Sequence, residues 1–566
     1  MARRFRIAAI VLAVFALVVF ALLPPATKRT GPAPTSVVRG AFHVHSNRSD
    51  GSGSVDTIAA AAAGAGLQFI ILTDHGDGTR PPDAPAYRNG VLAIDAVELN
   101  TTGGHYVALA LPATPYPFAG TPEDVIEDVD RVGGFGIAAH PGSPRPSLAW
   151  QDWAAPIDGL EWINADSEWR DEPRMPIVRG LLTYLIRAPQ SMARLLDRPD
   201  SVMRHWDALA ATRKVVGLAG ADAHARLGFS QRTDPDGAAF HVRLPGYESA
   251  FRTFSNHVAL DRPLSGDAGT DAKQLIDAIR NGHVYSVVDA LATPGGLTFT
   301  ASSKSQTARF GESIAIDGDV LLHASANAPP GTTLVLLRDG QRVQEVTDGP
   351  LEMNGGKDPG VYRIEAYTAH APGGPPVPWM VSNPIYAGLP AGRRPAPIPE
   401  PRSRIPARIA EAAAEFGAKD SSSVAAGVVS DPRARQFTGD PAITWTFALS
   451  PGMPAGQFAA VAVPISAGLA AFDRVRFRVS ASTPMRAWVQ LRGPGDNAER
   501  WGRTFYLDEE PRIVDVPFAA FAAIGAASNT QPPLDRVSTL LFVVDTLNTL
   551  PGHGGSMTIS EVGFVK

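Results

Sequence analysis

The chain has 566 residues, which is too long for one hydrophobic core and predicts roughly three or four domains. Its 56 acidic residues outnumber its 51 lysines and arginines, so it lacks the basic excess of a general nucleic-acid binder. It contains no cysteine, and any metal ion must therefore be bound by imidazole and carboxylate groups.

The N-terminus predicts export. Arg3, Arg4 and Arg6 precede an uninterrupted apolar run over residues 7–23. A basic flank of this kind keeps the start of a chain in the cytoplasm and sends the rest across the membrane. No good small-x-small cleavage site follows, so residues 1–28 are interpreted as an uncleaved signal anchor, with a periplasmic or other extracytoplasmic remainder. The alternative is a cleaved signal peptide and a secreted protein, because the run is slightly shorter than the ~20 residues of a spanning helix.

Residues 39–288 have the pattern of one α/β domain. Short apolar runs alternate there with amphipathic stretches, as expected for strands that alternate with helices. Strands are predicted over residues 68–73, 91–99, 106–111, 135–139, 159–163 and 215–219.

Helices are predicted between and after these strands. An alanine-rich helix is expected over residues 54–65. Thr121 is suited to cap another helix, because a proline and two acidic residues follow it. A helical insertion is expected over residues 174–212, and one closing helix over residues 271–281.

The C-terminal half predicts two β modules. From residue 295 to 388, short alternating segments are separated by Gly, Pro and Asp turns, which indicates a β-sandwich. Residues 389–406 are rich in proline and arginine and predict a stiff linker. Residues 407–566 are β-rich again, and there Val475, Phe477 and Val479 alternate with arginines. We expect a jelly-roll-like β-sandwich for this last module.

One strand of the last module suggests a glycan as partner. Strict alternation over residues 485–492 places four side chains on one face: Arg486, Trp488, Gln490 and Arg492. An aromatic ring beside arginine and amide donors suits stacking on a sugar ring. Trp501 and Tyr506 would extend this surface if the next strand pairs beside it. The alternative is that a loop or a neighbouring domain covers Trp488.

Chemistry is concentrated at the strand ends of the α/β domain. Six of the seven histidines before residue 230 lie at or just after predicted strand ends, and His43 and His45 share one side of an extended segment. A lone histidine or aspartate there is usually a capping residue, but a set of nitrogen and oxygen donors on one rim favours a multinuclear metal site. The candidate ligands are His43, His45, Asp50, His75, Glu98, His105, His140, Asp222 and His224. We assign no role to His205, and Asp74 is expected to cap or orient His75.

These residues resemble the PHP family, named for polymerase and histidinol phosphatase. The matching motifs are His43-x-His45, Ser49-Asp50-Gly51, Thr73-Asp74-His75, Glu98, His140-Pro141 and Asp222-x-His224. Together their order and spacing are specific, and they cover residues 39–288. The resemblance implies an α/β fold, a distorted (β/α)7 barrel of seven parallel strands with metal ions at the C-terminal strand ends.

The resemblance also implies how the ligands are shared. One ion would be held by His43, His45, Glu98 and Asp222. Glu98 would bridge to a second ion held by His105 and His140. A third ion would be held by Asp50, His75 and His224, although the family often has histidine where Asp50 stands. The expected cofactors are two or three divalent ions of manganese, zinc or iron, since imidazole with carboxylate suits all three.

The resulting hypothesis is a metal-dependent phosphoesterase. It would hydrolyse a phosphomonoester or phosphodiester outside the cytoplasm through a metal-activated water, with Asp222 or His224 as proton acceptor or donor. Arg48, Arg145 and Arg170 are candidate substrate-binding residues for the phosphate. The expected substrate is a phosphorylated small molecule or an envelope polymer. A metal-dependent hydrolase of a non-phosphate bond and a non-catalytic envelope-binding or glycan-binding protein are the alternatives.

Overall fold

A computed structural model describes residues 2–31, 36–228, 241–242, 244–389, 403–417, 425–430, 442–451, 457–466, 468–495, 498–525, 527 and 529–566. The chain divides into two units. The first comprises Met1–Gly76, Pro81–Pro112 and Ile126–Arg393. The second comprises Asp77–Arg80, Ala113–Val125 and Arg394–Lys566.

Three of the described helices begin at a side chain that caps them, namely Ser54, Asn164 and Asp267. Helix α1 (Ala2–Leu22) includes the stretch Arg4–Leu22, which has a mean hydropathy of 2.8 and is long and apolar enough to cross a membrane. Helix α2 (Val55–Ala65) follows Ser54, whose side chain accepts a hydrogen bond from the Thr57 amide, and it ends at a left-handed glycine. The other helices are α3 (Pro122–Arg131), α4 (Ala165–Asp171), α5 (Arg174–Ala193), α6 (Asp200–Ala210), α7 (Tyr247–Phe251) and α8 (Ala268–Arg280).

Seven described strands of the first unit form a closed ring, together with Val97–Thr101, which lies between β3 and β4 and pairs with β4. They are β1 (Val37–Val44), β2 (Phe69–Leu72), β3 (Val91–Asp95), β4 (Gly104–Leu109), β5 (Phe135–Ala138), β6 (Gly159–Asn164) and β7 (Val216–Ala223). Strand β1 pairs in parallel with both β2 and β7, and β6 pairs in parallel with both β5 and β7. Buried aliphatic and aromatic side chains of these strands form the core against α8.

Strand β4 corrects the expectation of seven parallel strands. It runs antiparallel to β5 and to Val97–Thr101, the strand that continues from β3. Only two residues separate Val97–Thr101 from β4, and a connection so short closes a hairpin, whereas a parallel crossover needs a dozen or more residues. The reversal has a functional consequence, because it brings the N-terminal end of β4 to the rim where the parallel strands have their C-terminal ends.

The strands within residues 295–388 belong to the first unit. Four of them form an antiparallel sheet: Leu297–Ser302, Thr307–Arg309, Leu321–Ala326 and Leu351–Asn354. Others form a second sheet that includes Thr333–Arg338, Gln341–Thr347, Gly360–Tyr367, Met380–Ser382 and Ile385–Ala387. This second sheet is continuous with the ring, since Met380–Ser382 pairs with Val284–Val287, which pairs with Ser255–Ala259 beside β1. The sequence pattern changes at residue 295, but backbone hydrogen bonds between strands continue from the ring into this second sheet.

The second unit contains two antiparallel sheets. One includes Ala425–Ser430, Ile443–Ala448, Gly554–Val565, Arg474–Ala481 and Arg512–Pro517. The other includes Ala413–Gly417, Phe458–Pro464, Thr539–Asp545, Met485–Arg492, Arg500–Leu507 and Ala522–Ile524. Side chains from both sheets, among them Trp445, Phe477 and Phe542, form one apolar core. This is the arrangement of a β-sandwich.

His257 is a buried histidine outside the candidate ligand set. It lies in Ser255–Ala259, and neither of its ring nitrogens has a hydrogen-bond partner among the described residues. Burial, with the nearby positive charge of Arg39, lowers the pKa of its imidazole to about 3. The folded chain therefore keeps this side chain neutral at a pH where an exposed histidine is protonated.

We predict that His257 makes the fold acid-sensitive. An unfolded chain protonates this side chain near pH ~6.5, so the free energy of unfolding falls as the pH drops from there toward 3, by up to ~1.4 kcal/mol per pH unit. In His257→Phe the melting temperature should fall less between about pH 6.5 and pH 5 than in the wild type. His370→Gln, at an exposed histidine, is the control and should keep the wild-type slope. Equal slopes in wild type and His257→Phe would contradict the prediction.

Candidate metal centre

The backbone is strained at three of the candidate ligands. His43, His140 and Asp222 have φ values of 65°, 31° and 43°. Non-glycine residues rarely adopt this left-handed region, and each such residue costs ~1–3 kcal/mol. Strain of this size persists only where the surrounding structure enforces it, and its concentration on candidate ligands points to a functional site.

Irregular strand pairing accompanies the strain. The register between β1 and β2 shifts between Ala41 and Val44, on either side of His43. The register between β7 and β1 shifts between Gly220 and Ala223, next to Asp222. Bulges of this kind redirect side chains. His43 and His45 therefore converge as the sequence predicts, but they do so through a bulge rather than through regular alternation.

Four donor atoms surround one point at the centre of the rim. His43 Nε2 lies 3.3 Å from Glu98 Oε2 and 3.5 Å from Asp222 Oδ1. His45 Nε2 lies 3.2 Å and 3.4 Å from the same two oxygens. These four distances are close to the ~3.3 Å that separates neighbouring donors on one ion when each donor binds at ~2.0–2.1 Å. His45 Nε2 is buried without a well-aligned hydrogen bond to any described residue, which also fits a metal ligand.

Glu98 faces two sets of imidazoles with its two oxygens. Oε2 points to His43 and His45, while Oε1 lies 2.7 Å from His105 Nδ1 and 2.8 Å from His140 Nε2. Only 1% of the Glu98 side chain is exposed. A carboxylate in this position fits the bridging role that the family resemblance implies. His105 reaches the rim because β4 is antiparallel.

A third group of donors lies at the more open side of the cluster. Asp50 Oδ2 is 3.1 Å from His224 Nε2 and 3.8 Å from His75 Nε2. His75 also lies close to Glu98, with Nδ1 3.3 Å from Oε2, so it stands between this group and the others. The structure thus brings all nine candidate ligands into one cluster. That they bind metal ions is the proposal made below.

The charges within the cluster favour added cations. Burial raises the pKa of the Glu98 and Asp222 carboxyls, but neighbouring imidazoles, His43 foremost, lower both pKa values to well below the usual range. Burial lowers the pKa of His140 and His224, yet Glu98 and Asp50 raise these two pKa values to about 9. The ionised carboxylates therefore hold positive charge next to them. Divalent ions would supply that charge in place of the imidazole protons.

Glu161 orients the first ligand, and our sequence analysis missed it. Its Oε1 lies 2.6 Å from His43 Nδ1, so Nε2 of that ring faces Glu98 and Asp222. Its Oε2 accepts hydrogen bonds from the His140 amide at 2.6 Å and from Asn164 Nδ2 at 2.8 Å. A carboxylate on the outer nitrogen fixes the orientation of a ligating imidazole. The available signal was a single charged residue within the apolar strand β6.

Gly220 leaves the space that Glu161 occupies. A Cβ atom at position 220 would lie 1.9 Å from Glu161 Oε1 and 2.8 Å from its Oε2. No side chain fits at that distance. The glycine in β7 is therefore required for the carboxylate in the adjacent β6.

Other groups hold the imidazoles from outside the cluster. His140 Nδ1 lies 3.1 Å from the Leu148 carbonyl and His224 Nδ1 lies 3.0 Å from the Asp222 carbonyl, so each ring directs Nε2 inward. The Tyr247 hydroxyl lies 2.8 Å and 3.0 Å from the carbonyls of His45 and His224. It also accepts hydrogen bonds from the amides of Ser52 and Gly53. No sequence pattern marked Tyr247.

The structure also shows the contacts of Asp74 and His205, which the sequence analysis did not count as metal ligands. Asp74 accepts hydrogen bonds of 2.7 Å from the Ser46 amide and from the hydroxyls of Ser46 and Ser49. It therefore orders the turn between His45 and Asp50, whereas the sequence suggested that it orients His75. His205 stacks on Trp153 at 4.0 Å between ring centroids, in line with its having no assigned role.

The three candidate substrate-binding arginines differ in their contacts. Arg48 pairs with Asp83 and with Asp95, the latter at 3.0 Å. Arg170 Nε is 2.6 Å from Asp166, and Arg145 is exposed. The ion pairs compete with a phosphate for Arg48 and Arg170, so the roles of all three remain predictions. Arg226, which our sequence analysis did not select, donates to the Asp50 carbonyl at 3.2 Å and so lies beside the third donor group.

The candidate glycan face of the second unit is largely engaged. Arg486 Nη1 lies 2.9 Å from Asp124 in the Ala113–Val125 segment of the same unit, and both side chains are buried. Arg492 binds both oxygens of Glu415, at 2.7 Å and 2.9 Å. Trp488 is half-buried and packs against a small apolar cluster. Of the four side chains, Trp488 is left as the main candidate for contact with a sugar.

Trp501 corrects the same prediction. It pairs with Leu491, and directly paired residues share a face of a sheet. Because Leu491 is in the core, Trp501 is also in the core, where its Nε1 donates to the Asn529 carbonyl at 2.8 Å. Tyr506 pairs with Arg486 and does lie on the outer face, with its hydroxyl 3.1 Å from Asp508.

Comparison with known proteins gives distant matches. No protein-family model matches the chain. An uncharacterized protein of Methanocaldococcus jannaschii is 30% identical over 103 residues, which is 18% of this chain and 60% of that protein, less than two thirds of its length.

Solved structures give three further matches. A two-domain protein from Bacteroides vulgatus containing a predicted PHP-like metal-dependent phosphoesterase is 13% identical, covers 63% of this chain and 99% of its own, and has a TM-score of 0.29. A candidate metal-dependent phosphoesterase from Bifidobacterium adolescentis is 13% identical over 39% of this chain and 93% of its own, with a TM-score of 0.22. A family 11 carbohydrate-binding module of a Clostridium thermocellum cellulase is 12% identical, covers 27% of this chain and 86% of its own, and has a TM-score of 0.21. All three structures are 12–13% identical to this chain, with TM-scores of 0.21–0.29.

We predict that Glu161 sets the affinity of the cluster for metal. Glu161→Gln keeps the shape of the side chain but removes the charge beside His43, so affinity for Mn²⁺ or Zn²⁺ should fall roughly 10–100-fold. Calorimetric titration of the metal-free full chain measures this. Glu168→Gln, at another buried glutamate, whose carboxylate accepts from the Asp197 amide, is the matched control and should bind as the wild type does. Wild-type affinity in Glu161→Gln would show that the contact with His43 is unimportant.

Proposed function

We propose that the first unit is a metal-dependent phosphoesterase that hydrolyses a phosphomonoester or a phosphodiester outside the cytoplasm. The observation that carries the proposal is the position of Glu98, whose two oxygens face separate imidazole groups. Oε2 lies 3.2–3.3 Å from Nε2 of His45 and His43, and Oε1 lies 2.7–2.8 Å from His105 and His140. Bound divalent ions would lower the pKa of a water to near ~7 and would neutralise phosphoryl oxygens. Imidazole and carboxylate donors suit manganese, zinc and iron.

Each candidate ligand has a proposed ion to bind, and two of the ligands are also candidates for proton transfer. His43, His45, Glu98 and Asp222 would hold the most buried ion, His105 and His140 with Glu98 the second, and Asp50, His75 and His224 the third. Of the two candidates for proton transfer to or from a substrate, His224 is the more exposed, with 22% of its side chain accessible against 7% for Asp222, and it would act when its Nε2 is not bound to the third ion. Arg226 joins the candidate phosphate-binding arginines because it lies beside Asp50, and a guanidinium suits bidentate binding of phosphate.

The proposed fold assignment follows from the same ring of strands. We propose that residues 39–288 form a distorted (β/α)7 barrel of PHP type with one antiparallel strand. Residues 295–388 and 407–566 would be the two β-sandwich domains. Of the predicted linker 389–406, residues 390–402 lie outside the described residues, and Arg404–Pro406 pairs with Gly554–Val565 of the second unit. The position of the donors at one rim of the ring supports this assignment, because barrel enzymes carry their active sites at the C-terminal strand ends.

Two alternatives use the same residues differently. An activated water attacks carbonyl carbon as well as phosphorus, so the unit would equally serve as a hydrolase of a non-phosphate bond. A non-catalytic envelope protein with a structural metal site is the other alternative. The complete donor set disfavours a vestigial site, since loss of function usually begins with loss of a ligand.

We propose that α1 anchors the chain in a membrane with the remainder on the extracytoplasmic side. Its apolar side chains are exposed along most of the helix, as those of a lipid-facing helix would be. The flanking Arg4 and Arg6 favour a cytoplasmic N-terminus. A purified mature chain that begins near Lys28 would instead identify a cleaved signal and a secreted protein.

We predict that the activity depends on metal and on the buried carboxylates. Chelation should abolish hydrolysis. Glu98→Gln and Asp222→Asn should each leave less than ~1% of wild-type activity with the fold retained, because losing a ligand exceeds the ~10–100-fold effect of losing a group that orients one. Glu168→Gln is again the control. Phosphomonoesters, phosphodiesters and carboxylic esters are assayed in parallel with Mn²⁺, Zn²⁺ and Fe²⁺. Full activity in a metal-free preparation would exclude the proposed function, and turnover of carboxylic esters alone would favour the first alternative.

We also propose that the second unit binds a glycan or another envelope component through Trp488. Trp488→Ala in the full chain should weaken binding to isolated envelope glycans, because it removes a half-buried aromatic ring from the middle of that face. The full chain is required, since Asp124, which pairs with Arg486, lies outside residues 407–566. Trp445→Phe, within the core, serves as a control for altered packing. If Trp488→Ala bound glycans as tightly as the wild type, or if neither bound, the second unit would have only a packing role.

A further inference from the structure

Helix α5 presents an apolar face that no described part of the chain covers. The side chains that form it are each at least 36% exposed: Met175, Val178, Leu181, Leu182, Leu185 and Ile186. Intervals of three and four residues place them on one side of the helix. The other side is packed, with Gly180 and Thr183 buried. Leu185 is 92% exposed, and a contiguous exposed apolar face of this kind is typical of a protein or membrane interaction site.

The charge of α5 has one sign. The helix contains Arg174, Arg179 and Arg187 and has no acidic residue. Arg174 and Arg179 are exposed at the beginning of the apolar face. A helix with an exposed apolar face and only basic charges is typical of helices that lie on anionic membrane surfaces.

Hydrogen bonds tie the end of α5 to the end of α1. Arg194 donates from Nη1 to the Leu22 carbonyl at 2.6 Å, and Arg187 donates to the Pro24 carbonyl. Gln190 Nε2 donates to Thr27 Oγ1 at 2.7 Å. If α1 crosses a membrane, these contacts hold α5 at the point where the chain leaves the bilayer.

We propose that α5 lies along the extracytoplasmic surface of the bilayer, with its apolar face among the acyl chains and its arginines at the headgroups. This inference rests on the proposed anchoring by α1. The backbone departs from helical geometry at Arg187, with φ −141° and ψ 62°, so the straight part of α5 covers residues 174–186. At 1.5 Å per residue that part is ~20 Å long, which is too short to cross a ~30 Å hydrocarbon core. It therefore lies on the membrane rather than through it.

Contact of α5 with the bilayer would also orient the metal centre. A chain held by α1 alone would rotate about one tether, whereas a second contact through α5 fixes how the first unit faces the bilayer. Phosphorylated headgroups or envelope polymers near the surface would then meet the rim of the ring in one orientation.

Site-specific labels test the proposal in the full chain. Because the chain has no cysteine, Leu185→Cys, Phe15→Cys and Val343→Cys each provide one attachment point for an environment-sensitive fluorophore. The labelled chains are reconstituted into phosphatidylcholine and phosphatidylglycerol vesicles with and without acyl-chain quencher lipids. We expect blue-shifted emission and quenching at positions 185 and 15. No quenching is expected at position 343, which is exposed on a strand of the same unit.

A charge placed on the apolar face gives a second measurement. Leu182→Glu should reduce quenching of the label at position 185 and leave that at position 15 unchanged. Leu321→Glu, at an exposed leucine of another strand, is the matched control and should change neither.

The outcomes separate the two proposals. Quenching at position 15 without quenching at position 185 would overturn the inference about α5 and leave the anchor intact. A blue shift at position 185 without lipid quenching would show that protein, such as a second copy of the chain, covers the face, and would also overturn the inference. Quenching at position 185 alone would support surface binding by α5 and overturn the anchor. Quenching at neither position would overturn both.

Discussion

The first unit depends on one buried carboxylate. Glu98 is almost completely inaccessible to water, and a charge in that position costs several kcal/mol unless cations or hydrogen-bond donors surround it. Imidazoles from β1, β4 and the end of β5 provide that environment, and three ligands adopt strained backbone conformations around the same centre. A protein that needed only stability would gain more from apolar side chains there. Divalent ions would supply the compensating positive charge in place of imidazole protons.

The strands explain how residues distant in sequence reach this carboxylate. Parallel strands deliver His43, His75, His140 and Asp222 from their C-terminal ends, and the antiparallel β4 delivers His105 from its N-terminal end. Glu161 and Gly220 form a second layer, in which an absent side chain in β7 admits a carboxylate from β6. Metal affinity in such a site depends on the outer layer as well as on the ligands themselves.

The nine candidate ligands were accessible to sequence reasoning because hydrophobic runs end where donors begin, and strand ends meet at one rim. Glu161 and Tyr247 were not accessible, since an isolated residue within a strand or short helix carries no periodic signal. Trp501 was misplaced because alternation gives two faces without saying which one is buried until the pairing register is known. The antiparallel direction of β4 could have been predicted from the sequence only by noticing that the two residues after Thr101 close a hairpin.

Metal content per chain tests the central claim most directly. The full chain and its Glu98→Gln and Asp50→Asn variants are loaded with Mn²⁺, Zn²⁺ or Fe²⁺, and loosely bound ions are then removed. The metal that remains in each protein is quantified by mass spectrometry. The account predicts about two or three ions per wild-type chain, at most one fewer in Asp50→Asn, and the largest loss in Glu98→Gln, because that carboxylate serves two groups of ligands. Less than one ion per wild-type chain with every metal tried would contradict the account.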